Sequence, residues 1–189
     1  LFNFCQISFF VLRYKYMVEI VQKDNKVLRQ KAKEVKVSEI SSPDIQKVLK
    51  DMSEAVDSQY DGVAIAAPQI GVSLRIFCIS GKAFDADFLE GRTQTHDSKK
   101  YPNLFFINPK ITKISKDKKL VEEGCLSVRP LFGKVRRASR ASVSAYDEKG
   151  KKFEMDGTGL LAHIFQHEID HFEGTLFIDK AKDIREVNY

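Results

Sequence analysis

Cysteine is scarce in this sequence. Its three cysteines, Cys5, Cys78 and Cys125, are odd in number and form no C-x-x-C pair, which argues against a disulfide framework and favours a reducing compartment. We therefore expect a cytoplasmic protein rather than an organellar one. Cys78 lies in a buried-strand pattern and is interpreted as a small side chain packed in the core.

Long apolar runs and the marks of a targeting segment are also lacking. The apolar run at residues 7–12 is too short to span a bilayer, and its basic residues follow it, whereas a secretory signal places them before. Because the chain begins with leucine and Met17 offers a start, residues 1–16 are interpreted as an upstream extension or an alternative start. Since no internal repeat or linker interrupts them, residues 17–189 are predicted to form a single domain.

The chain carries no strong excess of one charge. Its net charge is +5, from 31 Lys and Arg against 26 Asp and Glu. Basic clusters such as Lys116–Lys119 and Arg136-Arg137 lack the interleaved aromatics of a base-stacking surface, so we interpret them as solvated faces and expect no direct nucleic-acid site and no membrane partner. With 43% hydrophobic and 30% charged residues, the composition is that of an ordinary globular protein, and function must depend on sites.

Helical and strand-like patterns alternate along the chain. A helix is predicted to begin at Ser42-Pro43-Asp44, a cap followed by proline and an acid, and to present an apolar face to about Tyr60. A last helix is predicted from about Asp156 to Gly174. The strand-like runs are Leu74–Ile79, Leu104–Ile107, Ile111–Ile114, Lys119–Glu122, Val143–Tyr146 and Lys152–Met155. The pattern predicts an α+β fold of mostly antiparallel strands with an N-terminal amphipathic helix.

Two histidines four residues apart mark the last predicted helix. In His167-Glu168-Ile169-Asp170-His171, the imidazoles of His167 and His171 fall on one helical face and can converge on one metal ion. Glu168 follows the first histidine, so its carboxylate can reach a metal-bound water without binding the metal, as a general base does. The alternative is two histidines on an ordinary surface helix, and a third ligand decides between the two.

The third ligand is predicted to lie upstream. A metzincin would place a histidine at the position of Phe177, and Glu173 and Glu186 are the only downstream candidates for a thermolysin-like site. Cys125 follows Gly124 at the predicted end of a strand, where glycine lets the backbone approach a site closely. A thiolate and two imidazoles leave a fourth position open, as a catalytic tetrahedral site requires. A buried, inert thiol is the alternative.

Three segments give these residues a family context. They are Gly62–Gln69 (GVAIAAPQ), Glu123–Ser127 (EGCLS) and Gln166–Gly174 (QHEIDHFEG). Together they resemble the three motifs of peptide deformylase, and the resemblance covers Met17 to Asp179. It implies an α+β catalytic domain with antiparallel β-sheets packed around a central metal-binding helix. It also implies removal of the N-formyl group from the N-terminal methionine of nascent polypeptides, with release of formate.

The resemblance assigns roles to the residues of the predicted site. The metal ligands would be Cys125, His167 and His171. They would hold one divalent ion, Fe²⁺ first, with Zn²⁺, Ni²⁺ or Co²⁺ as alternatives, because mixed sulfur and nitrogen ligation does not select one metal. Water activated by the metal would attack the formyl carbon while Glu168 takes its proton and later gives it to the leaving amine. The Gln69 side-chain amide and the Leu126 backbone N–H would stabilise the oxyanion.

The same resemblance implies a cleft for the formylated nascent peptide. The backbone of Val63, Ala64 and Gly124 would pair with an extended peptide. The methionine side chain would be bordered by Val121, Leu160, His163 and Ile164. Two positions depart from the family pattern, because Ala64 replaces the usual second glycine and His163 a commonly apolar residue. We interpret His163 as a polar wall of the pocket rather than as a further metal ligand.

Other departures concern the rim and the C-terminus. Phe132 occupies a position where many members of the family have an arginine that contacts the substrate. In this chain Arg129 or Arg136 would make that contact instead. Asp170 is interpreted either as a partner of a metal ligand or of a nearby arginine, or as a plain surface acid. Many bacterial members continue into a C-terminal helix implicated in ribosome contact. This chain stops soon after Asp179, which argues against docking at the ribosome exit region.

Two other functions stay open. A metalloprotease or amidase of different substrate range would use the same water-activating residues, although the Gln69 and Cys125 motifs argue against it. A catalytically silent deformylase-like protein that binds peptides or metal would fit Ala64 and the short C-terminus, although the intact Glu168 argues against it. Release of formate separates the first of these from a deformylase.

Overall fold

The computed structural model describes residues 18–93 and 97–187. Residues 1–16, interpreted as an upstream extension, and the candidate start at Met17 lie outside the described residues. Within the described ranges, no helix has both the length and the apolar character needed to cross a membrane.

A five-stranded antiparallel sheet forms the larger layer. Its strands are β1 (Ala64–Ala66), β2 (Ile76–Ile79), β3 (Leu104–Ile114), β6 (Arg140–Tyr146) and β7 (Lys152–Thr158), in the spatial order β1-β2-β3-β6-β7. All four residues of β2 are buried, and Phe77 of β2 stacks on Phe106 of β3 with 4.4 Å between the ring centroids. The core therefore lies on the middle strands, and β1 forms one edge of the sheet.

A smaller antiparallel sheet has three strands. They are β4 (Lys118–Gly124), β5 (Leu131–Ala138) and β8 (Lys182–Glu186), in the order β4-β5-β8. The pairing of β4 with β5 runs from Lys118 opposite Ala138 to Gly124 opposite Phe132. The other edge of β4 has no partner strand within the described part of the chain.

Helix α1, Pro43–Asp57, forms where the sequence predicts a helix. The Ser42 hydroxyl accepts a hydrogen bond from the Ile45 N–H at 3.4 Å, and Pro43 lies in the first turn, where a missing N–H leaves no bond unmade. The face turned to β1 and β2 is buried. It consists of Ile45, Leu49, Met52, Ala55 and Val56. A short helix, α2, spans Ala86–Leu89.

Helix α3, Gly159–Phe172, follows β7 directly and packs against strands of both sheets. Phe165 and Phe172 on its inner side contact Phe77 of β2. Gly174 lies two residues beyond the end of the helix, and its φ of +70° favours glycine. A side chain at Gly174 would also come within 2.7 Å of the Arg29 backbone oxygen. The contacts of the helix with both sheets bring polar residues of α3 close to β4 and β5.

The mixed α+β class with antiparallel sheets is confirmed, but several element predictions are incomplete. β3 joins two predicted runs into one strand, because Asn108 takes a φ of +52° and the register shifts there as in a β-bulge. Helix α3 starts at Gly159 rather than near Asp156, because β7 extends to Thr158. β1, β5 and β8 are absent from the predicted runs, and β5 carries charged residues that hide its apolar alternation.

Candidate metal centre and active site

Three potential metal ligands meet where β4 ends beside α3. Cys125 directly follows β4, and His167 and His171 lie one turn apart on the same helical face. Their ligand atoms all lie within 4.8 Å of one another, and the Cys125 Sγ to His171 Nε2 distance is 3.5 Å. The structure thus brings together the three residues that the sequence singles out as ligands.

The chemistry of this cluster fits a divalent cation. One sulfur and two imidazole nitrogens suit Fe²⁺, Zn²⁺ and related ions. Burial lowers the pKa of His171, which keeps its ring in the neutral form that binds metals. Burial alone would also lower the pKa of His167, but hydrogen bonds to Cys125 and Glu123 raise it above its ordinary value. The surroundings of His167 therefore favour a positive charge, which a bound cation would supply.

A buried carboxylate orients His167. Glu123 Oε2 lies 2.9 Å from His167 Nδ1, which leaves Nε2 as the nitrogen available to a metal. Arg137 of β5 donates two hydrogen bonds to Glu123, from Nε to Oε1 at 2.6 Å and from Nη2 to Oε2 at 3.0 Å. Burial alone would raise the pKa of Glu123, but its bonds to Arg137 and His167 lower the pKa to about 2.

The ion network continues through Asp170. Its carboxylate accepts a hydrogen bond from Arg137 at 2.6 Å and another from Lys180 at 2.6 Å. The sequence allows Asp170 to be a partner of a metal ligand, a partner of an arginine or a surface acid, and the structure shows that it pairs with Arg137. The interpretation of Arg137 as part of a solvated basic face is wrong, since the residue is 4% exposed and neutralised by two carboxylates.

Glu168 is a buried carboxylate beside the ligand cluster. Its side chain is 4% exposed, and burial raises its pKa to about 7. Its Oε2 atom is buried and accepts no hydrogen bond from the residues in 18–93 and 97–187. A carboxylate with a pKa near neutrality can both take and give a proton at physiological pH, which a residue acting as base and then acid requires.

Gln69 points its amide nitrogen toward the cluster. It lies in a 3-10 turn, Ala67–Ile70, and is 1% exposed. Its Oε1 accepts a hydrogen bond from the Ala66 N–H at 2.7 Å, and its Nε2 lies 3.4 Å from Cys125 Sγ. Leu126, the other residue that the resemblance assigns to the oxyanion, follows Cys125 and lines the same cavity.

A cavity of about 410 Å³ opens over the cluster and includes most of the predicted substrate residues. They are Val63, Ala64, Gly124, Leu160, His163 and Ile164. Val121 is not among the lining residues, because the wall formed by this segment begins at Glu122. His163 lines the cavity and does not belong to the ligand cluster. Burial lowers the pKa of His163, which favours its neutral ring.

The rim of the cavity contains groups that the sequence left undecided. Phe132 and Arg129 both line it, whereas Arg136 does not. Arg129 forms an ion pair with Asp61, and its Nη1 donates to Gln59 Oε1 at 3.0 Å. The Phe132 ring packs on Gly124, since a side chain at Gly124 would come within 2.6 Å of it. Of the two arginines considered as substitutes for the family arginine, only Arg129 is therefore placed beside the cavity.

Comparisons with known proteins point to one family. The family model described as polypeptide deformylase matches residues 17–187. A peptide deformylase of Desulfitobacterium hafniense is 42% identical over 167 residues, which cover 87% of this chain and 94% of that protein. The chloroplastic and mitochondrial peptide deformylase 1A of Arabidopsis thaliana is 37% identical over 86% of this chain, but the match spans only 60% of the plant protein.

A solved peptide deformylase structure is also similar to this chain in its fold. The crystal structure of a class I type b peptide deformylase from Acinetobacter baumannii, with Met-Ala-Ser bound, superimposes with a TM-score of 0.72. It shares 28% sequence identity, and the match covers 87% of this chain and 98% of that one.

Proposed function

From the chain's membership of the polypeptide deformylase family, we infer that it hydrolyses the N-formyl group of the N-terminal methionine of nascent polypeptides and releases formate. The observation that carries this proposal is the convergence of Cys125, His167 and His171 next to Glu168 and Gln69, beneath one cavity. We assign the activity to one catalytic domain, residues 17–189.

Helix α3 is the metal-binding helix of this proposal. His167, His171 and Cys125 would hold Fe²⁺, with Zn²⁺, Ni²⁺ or Co²⁺ as alternatives. A bound divalent cation would supply Lewis-acid chemistry, lowering the pKa of water and polarising the formyl oxygen. Glu123 and Arg137 keep the His167 ring in the orientation that presents Nε2 to the ion.

Glu168 carries the proton in this reaction. Its carboxylate takes a proton from the attacking water as the new bond to the formyl carbon forms. When the bond between that carbon and the methionine nitrogen breaks, Glu168 returns the proton to the leaving amine. The products are formate and a free α-amino group. A pKa of about 7 suits both steps.

Gln69 and Leu126 provide hydrogen-bond donors where negative charge develops. The formyl oxygen becomes an oxyanion in the tetrahedral intermediate, and donors that are already in place stabilise it without reorganisation. The Gln69 Nε2 atom is 3.4 Å from Cys125 Sγ and therefore lies at the cluster itself. The Leu126 N–H belongs to the residue next to the cysteine ligand.

Two sheet edges offer a binding mode for the peptide. Ala64 lies in β1, an edge strand of the larger sheet, and Gly124 lies in β4, an edge strand of the smaller one. Both residues line the cavity, so an extended peptide can pair its backbone with these edges. The Acinetobacter relative with bound Met-Ala-Ser supports this class of substrate for the present chain.

The function is tested by formate release. The protein is purified without oxygen, its metals are quantified, and it is incubated with formyl-Met-Ala-Ser and, as a control, with acetyl-Met-Ala-Ser. We expect about one equivalent of metal, mostly iron, and formate from the formylated peptide only. Cleavage of a peptide bond instead would indicate that the protein is a metalloprotease. A metal-loaded protein that binds peptide but releases no formate would indicate a catalytically silent deformylase-like protein.

His163 lines the cavity and forms part of the proposed methionine pocket. Replacing His163 with isoleucine is expected to shift the ratio of kcat/KM for formyl-Met over formyl-norleucine peptides by about threefold toward norleucine, because the wall loses a polar group and the side chain without sulfur is the more apolar. Leu161→Ile, on the same helix outside the cavity lining, is the matched control. The same ratio in wild type and His163→Ile would contradict a role for His163 in the pocket.

A further inference from the structure

The two proposed oxyanion donors come from different parts of the fold. Gln69 lies in the turn after β1, whereas Leu126 lies in the segment after β4. Each donor has to be positioned relative to the other, because an oxyanion site is effective only when its donors are fixed before the charge develops. A contact that connects these two segments therefore bears directly on the rate of the reaction.

Three hydrogen bonds fix the Gln69 carboxamide, to the Ala66 N–H, the Ser127 hydroxyl and Cys125 Sγ. The Ala66 N–H donates to Oε1 at 2.7 Å, which identifies that atom as the oxygen, since an N–H requires an acceptor. At the other end Nε2 donates to the Ser127 hydroxyl at 3.2 Å. An amide nitrogen has two protons. One proton is donated to Ser127 and the other to Cys125 Sγ at 3.4 Å, on the side where the substrate carbonyl would lie.

Ser127 is well placed to align the donors. It is fully buried and immediately follows Leu126. The hydrogen bond from the Gln69 amide to Ser127 therefore connects Gln69 to the residue that directly follows Leu126. The segment is itself held by a turn, in which the Val128 N–H donates to the Cys125 carbonyl at 2.9 Å. The position of the Ser127 hydroxyl thus follows the position of the metal ligand.

The N-terminal segment reinforces the same alignment. The Val21 N–H donates to the Gln69 carbonyl at 2.9 Å, and the Gln22 side chain donates to the Leu126 carbonyl at 3.2 Å. The neighbouring residues Val21 and Gln22 therefore bind the backbone carbonyls of both donor residues. Ser127, in contrast, binds the Gln69 side chain, which is the group that has to be oriented toward the substrate.

The geometry points to Ser127 as a positioning residue that holds the Gln69 amide for the oxyanion. This inference rests on the proposed function and deepens it. Ser127 acts through Gln69 and need not touch the substrate. Its loss is expected to lower kcat by about tenfold with little change in KM, because the hydrogen bond to the carbonyl strengthens mainly in the transition state.

A double-mutant cycle tests the inference on the metal-loaded protein. Ser127→Ala, Gln69→Ala and the double variant are compared for formate release. If Ser127 acts through Gln69, Ser127→Ala lowers kcat about tenfold in the wild-type background and less than about twofold in the Gln69→Ala background. Equal losses in the two backgrounds would overturn the inference, and so would loss of bound metal from Ser127→Ala.

Matched variants separate positioning from general packing. Ser142, a buried serine of β6, donates to Asp156 at 2.5 Å outside the cavity lining, so Ser142→Ala should keep kcat within about twofold. Ser127→Thr keeps the hydroxyl and should recover most of the activity lost in Ser127→Ala. Thermal unfolding is recorded for each variant. If Ser142→Ala reduces kcat as much as Ser127→Ala does, the inference is overturned.

A second readout does not depend on turnover. Hydrogen exchange of the Gln69 side-chain amide, followed by NMR, should be slow in wild type and about tenfold faster in Ser127→Ala, because one of the two hydrogen bonds that Nε2 donates is lost. Unchanged exchange would overturn the inference. If wild-type protein releases no formate, the proposed function fails, and amide exchange still decides whether Ser127 holds Gln69.

Discussion

Replacing Glu168 with glutamine is expected to nearly abolish formate release, lowering kcat by about a thousandfold. Glutamine has nearly the same shape, but its amide cannot accept the proton of the attacking water. The carboxylate is 4% exposed, its pKa is raised to about 7 by burial, and it lies next to His167. Glu123, another buried carboxylate of the cavity lining, is instead held ionised by Arg137 and His167.

The loss should be catalytic rather than structural. Bound metal is measured beside kcat, and both proteins are expected to keep their ion because Glu168 is not one of the clustered ligands. Glu173→Gln, a surface substitution just beyond the same helix, serves as the matched control and should leave kcat unchanged. A Glu168→Gln protein that retains a tenth or more of the wild-type rate would remove Glu168 from the mechanism.

Replacing Arg137 with methionine is expected to lower the free energy of unfolding by about 3–5 kcal/mol, because breaking a buried ion pair leaves its partners uncompensated. Arg137 is 4% exposed and contacts both Glu123 and Asp170. Methionine fills much of the same volume but neutralises neither carboxylate. Glu123 would also lose part of its hold on His167, so metal affinity should fall by about tenfold or more.

Urea unfolding of metal-free protein measures the change without the contribution of metal binding. Arg136→Met on the same strand is the matched control, because Arg136 is exposed and lies outside the cavity lining. It should change stability by less than about 0.5 kcal/mol. If the two substitutions destabilise the protein equally, the buried network contributes no more than a surface charge does.

The sequence predicts best the features that depend on short spacing. The alignment of His167 and His171 follows from helical periodicity alone, and the Ser42 cap locates the start of α1. Cys125 required two further arguments, the lack of a downstream ligand and the resemblance of three motifs to a family. Gln69 entered only through that resemblance, because a glutamine in a turn carries no local signal of its function.

What the sequence does not predict depends on contacts between distant segments. Arg137 belongs to a basic pair that resembles a solvated face, and its burial follows only from pairing with Glu123 and Asp170. β5 is missed for the same reason, since its charged residues interrupt the apolar pattern. Ser127 belongs to the segment Glu123–Ser127, but its hydrogen bond to Gln69 joins residues 58 positions apart, so only the folded structure reveals it.

In the part of the chain that the structure describes, β1 and β4 each have an edge without a partner strand, and the proposed function assigns peptide binding to these edges. A peptide that pairs with these edges must offer free backbone donors and acceptors over about three residues, roughly 10 Å. A protein whose N-terminus is already built into a helix or sheet has used these groups internally. In the proposed function, processing would therefore compete with the folding of the substrate, and a chain that buries its first residues early would keep its formyl group.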